Sequence, residues 1–191
     1  MMAPNIILYE IGGFLFILIA GSLLHFAFEL SNFWIPIAFL TPVNESIWEH
    51  LKMVFWPGLI FFVFEYFHLK SQVKNFWVAK AICLFIMPLF IAVGWYGMVA
   101  LIGENIFVID IFLFVTAIIV GQNLSYKVIS TNRFSVQNNV YSIIAIFMLG
   151  LAFIYFTYFP PRIFLFEHMD LANTGKYGIL ENYESLRIMS H

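Results

Sequence analysis

The chain has 191 residues and a formal net charge of −2; 62% of it is hydrophobic, only 10% is charged, and its mean hydropathy is +0.91. Soluble domains are nearer half apolar and about a quarter charged, so this excess excludes a single aqueous core and makes a bilayer the natural solvent. The slightly acidic balance excludes a nucleic-acid footprint or a polybasic lipid patch, and a lone cysteine, Cys83, excludes an internal disulfide and a cysteine-rich zinc site.

Hydropathy predicts five spans, at about 6–28, 46–69, 76–102, 106–129 and 139–159. Each is long enough to cross ~30 Å of hydrocarbon at ~1.5 Å per residue. The first run lacks a preceding Lys or Arg and exceeds the hydrophobic core of a signal peptide, so it is expected to remain as a span. No repeat or linker interrupts the chain. The predicted class is all-α, a polytopic bundle over 1–160 with an extracytoplasmic tail over 161–191.

In the first span His25 and Glu29 are four apart and share a helix face, which Gly21 and Ser22 thin enough for another helix to approach. The segment from Phe33 to Leu40 is apolar, too short to cross, and interrupted by Pro36. It reads as an interfacial or re-entrant piece lying over the ends of spans one and two.

Next comes Thr41-Pro42-Val43-Asn44-Glu45-Ser46-Ile47-Trp48-Glu49-His50-Leu51-Lys52, the densest polar stretch in the sequence. Glu45 and Glu49 are four apart, His50 lies about 100° round from Glu49, and Lys52 returns to the face of Glu45. With His25 and Glu29 they offer two imidazoles and several carboxylates from separate helices, the ligand types that zinc, iron and manganese use in bundles. The expected ligands are His25, Glu29, Glu49 and His50. Glu49 doubles as a general base toward a metal-bound water, and Asn44, Glu45, Trp48 and Arg162 are the expected substrate contacts. His168 and Asp170 in the tail are placed to join them. The competing reading is structural: Thr41 or Asn44 caps a helix, Pro42 opens it, acids suit its dipole, and Lys52 pairs with Glu49 or Glu45. Asn44-Glu45-Ser46 also spells a glycosylation sequon, discounted because it abuts the membrane.

Basic residues orient the chain. Lys70, Lys74 and Lys80 flank the second connection, and Lys127 and Arg133 the fourth, whereas Gly103, Glu104 and Asn105 form the third. The positive-inside bias then places the N-terminus in the cytoplasm and the polar stretch on the outer side. Glu10, Glu65, His68, Lys80, Gln122, Asn123 and Lys127 gather toward the inner side. There Glu65-x-x-His68 has the spacing of half a di-iron motif without its partner half, so pairing with interfacial lysines is expected. Pro57 and Pro88 predict kinks.

The stretch Pro42 to Lys52, together with Pro160-Pro161-Arg162 and Thr174-Gly175-Lys176-Tyr177-Gly178-Ile179, resembles a family of small bacterial multi-pass membrane proteins of unknown function. The resemblance implies a bacterial plasma membrane location and brings no reaction, cofactor or partner beyond membrane lipids. The sequence therefore leaves three functions open: a metal-dependent membrane hydrolase, a small transporter or ion-coupled carrier, and a structural or assembly protein without catalysis.

Overall fold

The computed structural model describes residues 5–131, 136–169 and 175–179. Arg133, Asp170 and Thr174 lie outside the described residues. Five helices follow in order: α1 (Ile6–Leu30), α2 (Ile47–Leu69), α3 (Phe76–Ile102), α4 (Phe107–Ile129) and α5 (Val136–Tyr158), with short 3-10 turns at Ile35–Ile37 and Phe164–Phe166. All five are long and apolar enough to span a membrane. Among the described residues no strand forms; Glu167 and Tyr177 make an isolated antiparallel bridge.

Helix is what such a sequence must form in lipid, because only a helix satisfies its backbone groups within one segment. The helices are apolar nearly all round. Leu15, Leu23, Ile60, Phe64, Leu89, Leu101 and Phe112 are exposed, a coat suited to lipid, while Ile17, Val54, Phe55, Phe62, Leu84, Met87, Ile118 and Phe153 are fully buried between helices. α1 packs on α2 and α4, and α3 on α2 and α4, so the first four helices close into a ring; α5 leans on α3 and α2 from outside. Close approach at Gly21 is one reason α1 meets α2: a Cβ there would collide with the Met53 carbonyl oxygen and the Phe114 ring.

Helix ends are tied by side chains from neighbouring elements. Asn75, which precedes α3, donates from its amide to the carbonyls of Val128 (2.5 Å) and Thr131 (2.6 Å), where α4 has run out of intrahelical donors. Asn139 of α5 accepts from the Val78 N–H at 3.3 Å and donates to the Lys74 carbonyl. Replacing Asn75 by alanine should cost about 1–3 kcal/mol, since it takes the amide donor from the Thr131 carbonyl at a part-buried helix end; the Val128 carbonyl keeps the Thr131 N–H and hydroxyl. Thermal unfolding in detergent would measure it.

Pro57 and Pro88 are both buried and lie inside continuous helix. The connection between α1 and α2 is the expected covering segment. Asn32 and Phe33 turn the chain with φ of 57° each. Trp34 and Ile35 face outward, and Ala38, Thr41, Pro42, Val43 and Asn44 are buried beneath. We refer to this as the covered end; the α2–α3 connection marks the opposite end.

At the opposite end four helices meet on one cation. Lys80 of α3 is fully buried. Its Nζ donates to Glu10 Oε1 of α1 at 3.0 Å and lies 2.8 Å from Glu65 Oε2 of α2, a charge contact rather than an aligned hydrogen bond. Ser125 of α4 donates to the same Glu10 oxygen at 2.8 Å. The rings of Phe62 and Phe76 face the ammonium at 4.6 and 5.4 Å, a favourable cation–π setting. The expected interfacial pairing of Glu65 is therefore a buried one. His68, Asn123 and Lys127, grouped with these residues by sequence, are exposed.

Candidate functional site

The start of α2 decides the geometry of the covered end. Its N-cap is neither Thr41 nor Asn44 but Ser46, whose hydroxyl accepts from the Glu49 N–H at 3.3 Å. Asn44 Oδ1 accepts from the Ser46 N–H at 2.9 Å, a side-chain turn that presents the cap. Ser46-Ile47-Trp48-Glu49 has the S-x-x-E spacing of a capping box, but the Glu49 carboxylate goes elsewhere because Asn44 already occupies the Ser46 N–H.

Glu45 thus precedes the helix and does not share a helical face with Glu49. The two carboxylates diverge. Glu49, 2% exposed, pairs with the fully buried Lys52 at 2.5 Å. Glu49 Oε2 also accepts from the Val43 N–H at 3.0 Å, and Oε1 lies 3.0 Å from the Thr157 hydroxyl of α5. Lys52 donates in addition to the Ala38 carbonyl and to Thr157 Oγ1, both at 2.9 Å. All three ammonium protons and both carboxylate oxygens are engaged. This pair joins α2, α5 and the covering segment, and sits apart from the cluster described next.

Glu45 turns toward the imidazoles. His25 of α1, Glu45 and His50 of α2 each offer one ligand atom within 4.8 Å of the others. The His50 ring nitrogen Nδ1 lies 2.8 Å from the Ser46 carbonyl, so it carries a proton and donates. That leaves Nε2, 3.3 Å from Glu45 Oε2, as the nitrogen available for a ligand. The His25 and His50 ring centroids are 5.2 Å apart. His25 Nδ1 is buried and has no hydrogen-bond partner among the described residues. With Nε2 protonated as well, His50 donates to Glu45, and that hydrogen bond, with the charges of the nearby imidazoles, holds the Glu45 carboxyl down at about 2 against the opposing effect of its partial burial; loss of that proton frees Nε2 for a cation. Glu45 stays ionised across any ordinary pH, so protons would compete with a cation for the imidazoles rather than for this carboxylate.

Further groups surround the three. Glu29, one turn beyond His25, is exposed and within Coulomb reach of it. His168 from the tail is buried and within reach of Glu45. Asp110, in the first turn of α4, is within reach of His50, and its buried Oδ1 lacks a hydrogen-bond partner among the described residues. Arg162 is exposed where the chain leaves α5. Trp48 packs on Phe153, Phe166 and Phe156, at centroid distances of 4.7, 4.9 and 5.5 Å.

Of the expected metal ligands, then, the structure brings His25 and His50 together, adds Glu45, leaves Glu29 at the edge, and ties Glu49 to Lys52. Asn44 serves the turn and Trp48 the packing against α5. Sequence reasoning did not single out Asp110 or Thr157. An acid in the first turn of an apolar span was a readable signal for Asp110. Thr157, one hydroxyl in an apolar run, carried none.

Five spans, a covering segment and a His/Glu cluster at one end define a multi-pass helical membrane protein. The chain belongs to the family of unknown function DUF6512, whose model matches residues 4–179. No curated protein and no solved structure was found to match it.

Proposed function

We propose that the protein is a metal-dependent membrane hydrolase whose divalent ion, zinc, iron or manganese, is held by His25, Glu45 and His50. The observation that supports this reading is the convergence of two imidazoles from different helices and one ionised carboxylate within 4.8 Å. A backbone carbonyl fixes one imidazole through Nδ1 and turns its Nε2 toward Glu45, the usual support for a metal-ligating histidine. Three protein ligands leave a coordination position open, where water would be bound and acidified. Ligand atoms around tetrahedral zinc lie roughly 3.4 Å apart, so binding would draw the three side chains inward.

Glu49, saturated by Lys52, Val43 and Thr157, is poorly placed to serve as the base; Glu29, exposed and one turn from His25, is the better candidate. An ester or amide of a membrane lipid or peptide is the substrate class that could reach such a site at the end of the spans. Exposed Lys70, Lys74 and Lys127 lie at the opposite end, which supports an extracytoplasmic site and a cytoplasmic N-terminus. Lys80, buried in its ion cluster, adds nothing to that bias.

Elemental analysis and metal titration of the purified protein test the reading. One ion per chain is expected, with affinity lowered at least about tenfold by His25→Ala, His50→Ala or Glu45→Gln. Glu29→Gln should leave affinity unchanged while lowering hydrolysis. A folded protein that binds none of the three metals, or binds them equally after all three ligand substitutions, would end the proposal.

A further inference from the structure

The cluster at the opposite end has more negative charge than Lys80 can balance. Glu10 is 6% exposed, and Glu65 and Lys80 are fully buried. Two carboxylates and one ammonium leave a surplus of one negative charge in a low-dielectric setting, where an unpaired charge is costly. Glu10 Oε2 and Glu65 Oε1 are buried with no hydrogen-bond partner among the described residues.

The fourth helix adds a second observation. Gln122, only 5% exposed, has neither its amide nitrogen nor its oxygen hydrogen-bonded among the described residues. It lies one turn from Ser125, which donates to Glu10. Its amide abuts Gly13, three residues from Glu10 along α1, so closely that a Cβ on Gly13 would collide with it. An amide with both functions unused thus lies about one helical turn from carboxylates that also have oxygens without partners among the described residues.

Depth is shared as well. Glu10 and Lys80 stand four residues inside the starts of α1 and α3, and Glu65 and Ser125 four residues inside the ends of α2 and α4. At ~1.5 Å per residue all four lie about 6 Å from the helix ends. Glu10, slightly exposed, is the member through which water would reach the cluster.

We infer that Glu10 and Glu65 together bind one exchangeable proton, with Lys80 as their fixed counter-charge and the Gln122 amide as the adjacent hydrogen-bonding group. A proton added to either carboxylate converts it to a neutral carboxylic acid and leaves one carboxylate for Lys80. No other bond changes. A metal cation fits less well, because the ammonium already occupies the space between the two carboxylates. The charged and titratable groups facing the site are Glu10 from α1, Glu65 from α2, and Lys80 from α3 with Cys83 one turn beyond. Among the described residues α4 contributes only the neutral Ser125 and Gln122. Moving the proton from one acid to the other would move the partner of Lys80 between α2 and α1. This site is independent of the His25, Glu45 and His50 reading.

Infrared difference spectroscopy of the full chain in lipid, titrated from mildly acid to alkaline pH, tests it. A carboxylic acid carbonyl band that shifts in D2O and vanishes at high pH is expected for the native protein. Glu65→Gln and Glu10→Gln should each abolish it, because each leaves one carboxylate balanced by Lys80. Either variant suffices if the other fails to fold. Absence of the band in the native protein, its persistence in a folded variant, or its removal by sodium at constant pH would overturn the inference.

Discussion

Lys52→Met is expected to destabilise the protein by about 3–5 kcal/mol, the usual cost of removing one partner from a buried ion pair. The physical reason is what stays behind. Glu49 remains 2% exposed, with the Val43 N–H and the Thr157 hydroxyl as its remaining donors and no adjacent cation. The Ala38 carbonyl loses its donor at the same time, which loosens the covering segment. The double variant Glu49→Gln/Lys52→Met should recover much of the loss, because it removes the charge with its partner. Chemical or thermal unfolding of the four proteins in one detergent forms the cycle. Equal losses in the single Lys52 variant and the double variant would mean that the charge itself is not what is being stabilised.

Lys80→Met is expected to cost at least as much, again about 3–5 kcal/mol or above. Its removal leaves the buried Glu10 and Glu65 carboxyl groups on adjacent helices without a cation and takes from Phe62 and Phe76 the charge their rings face. The damage should fall on the junction of α1, α2 and α3 at the opposite end. Hydrogen exchange should therefore rise first around Glu10 and Glu65 and little around His25 and His50. A uniform rise across both ends would argue that the cluster does not act locally.

How much of this was legible follows from which interactions are local. The predicted spans end within a few residues of the observed helices, because a long apolar run in lipid has one way to satisfy its backbone. The covering segment was legible too: Pro36 and its short length prevented a crossing. The cap of α2 was open to reading from Ser46-x-x-Glu49, yet the earlier Thr41-Pro42 signal competed with it. That shift of a few residues removed Glu45 from the helix, sent it to His25 and His50, and left Glu49 to Lys52.

The sequence by itself determined a five-span helical protein with polar residues concentrated near both ends, since hydropathy and length are properties of each segment alone. Tertiary structure decided which polar groups meet. In helices apolar on every side, the face toward lipid and the face toward protein look alike, so rotation about each axis is unreadable. Only packing shows that Glu10, Glu65, Lys80 and Ser125 arrive at one point from four helices, that Thr157 reaches Glu49 across 108 residues, and that two imidazoles and Glu45 converge at the covered end.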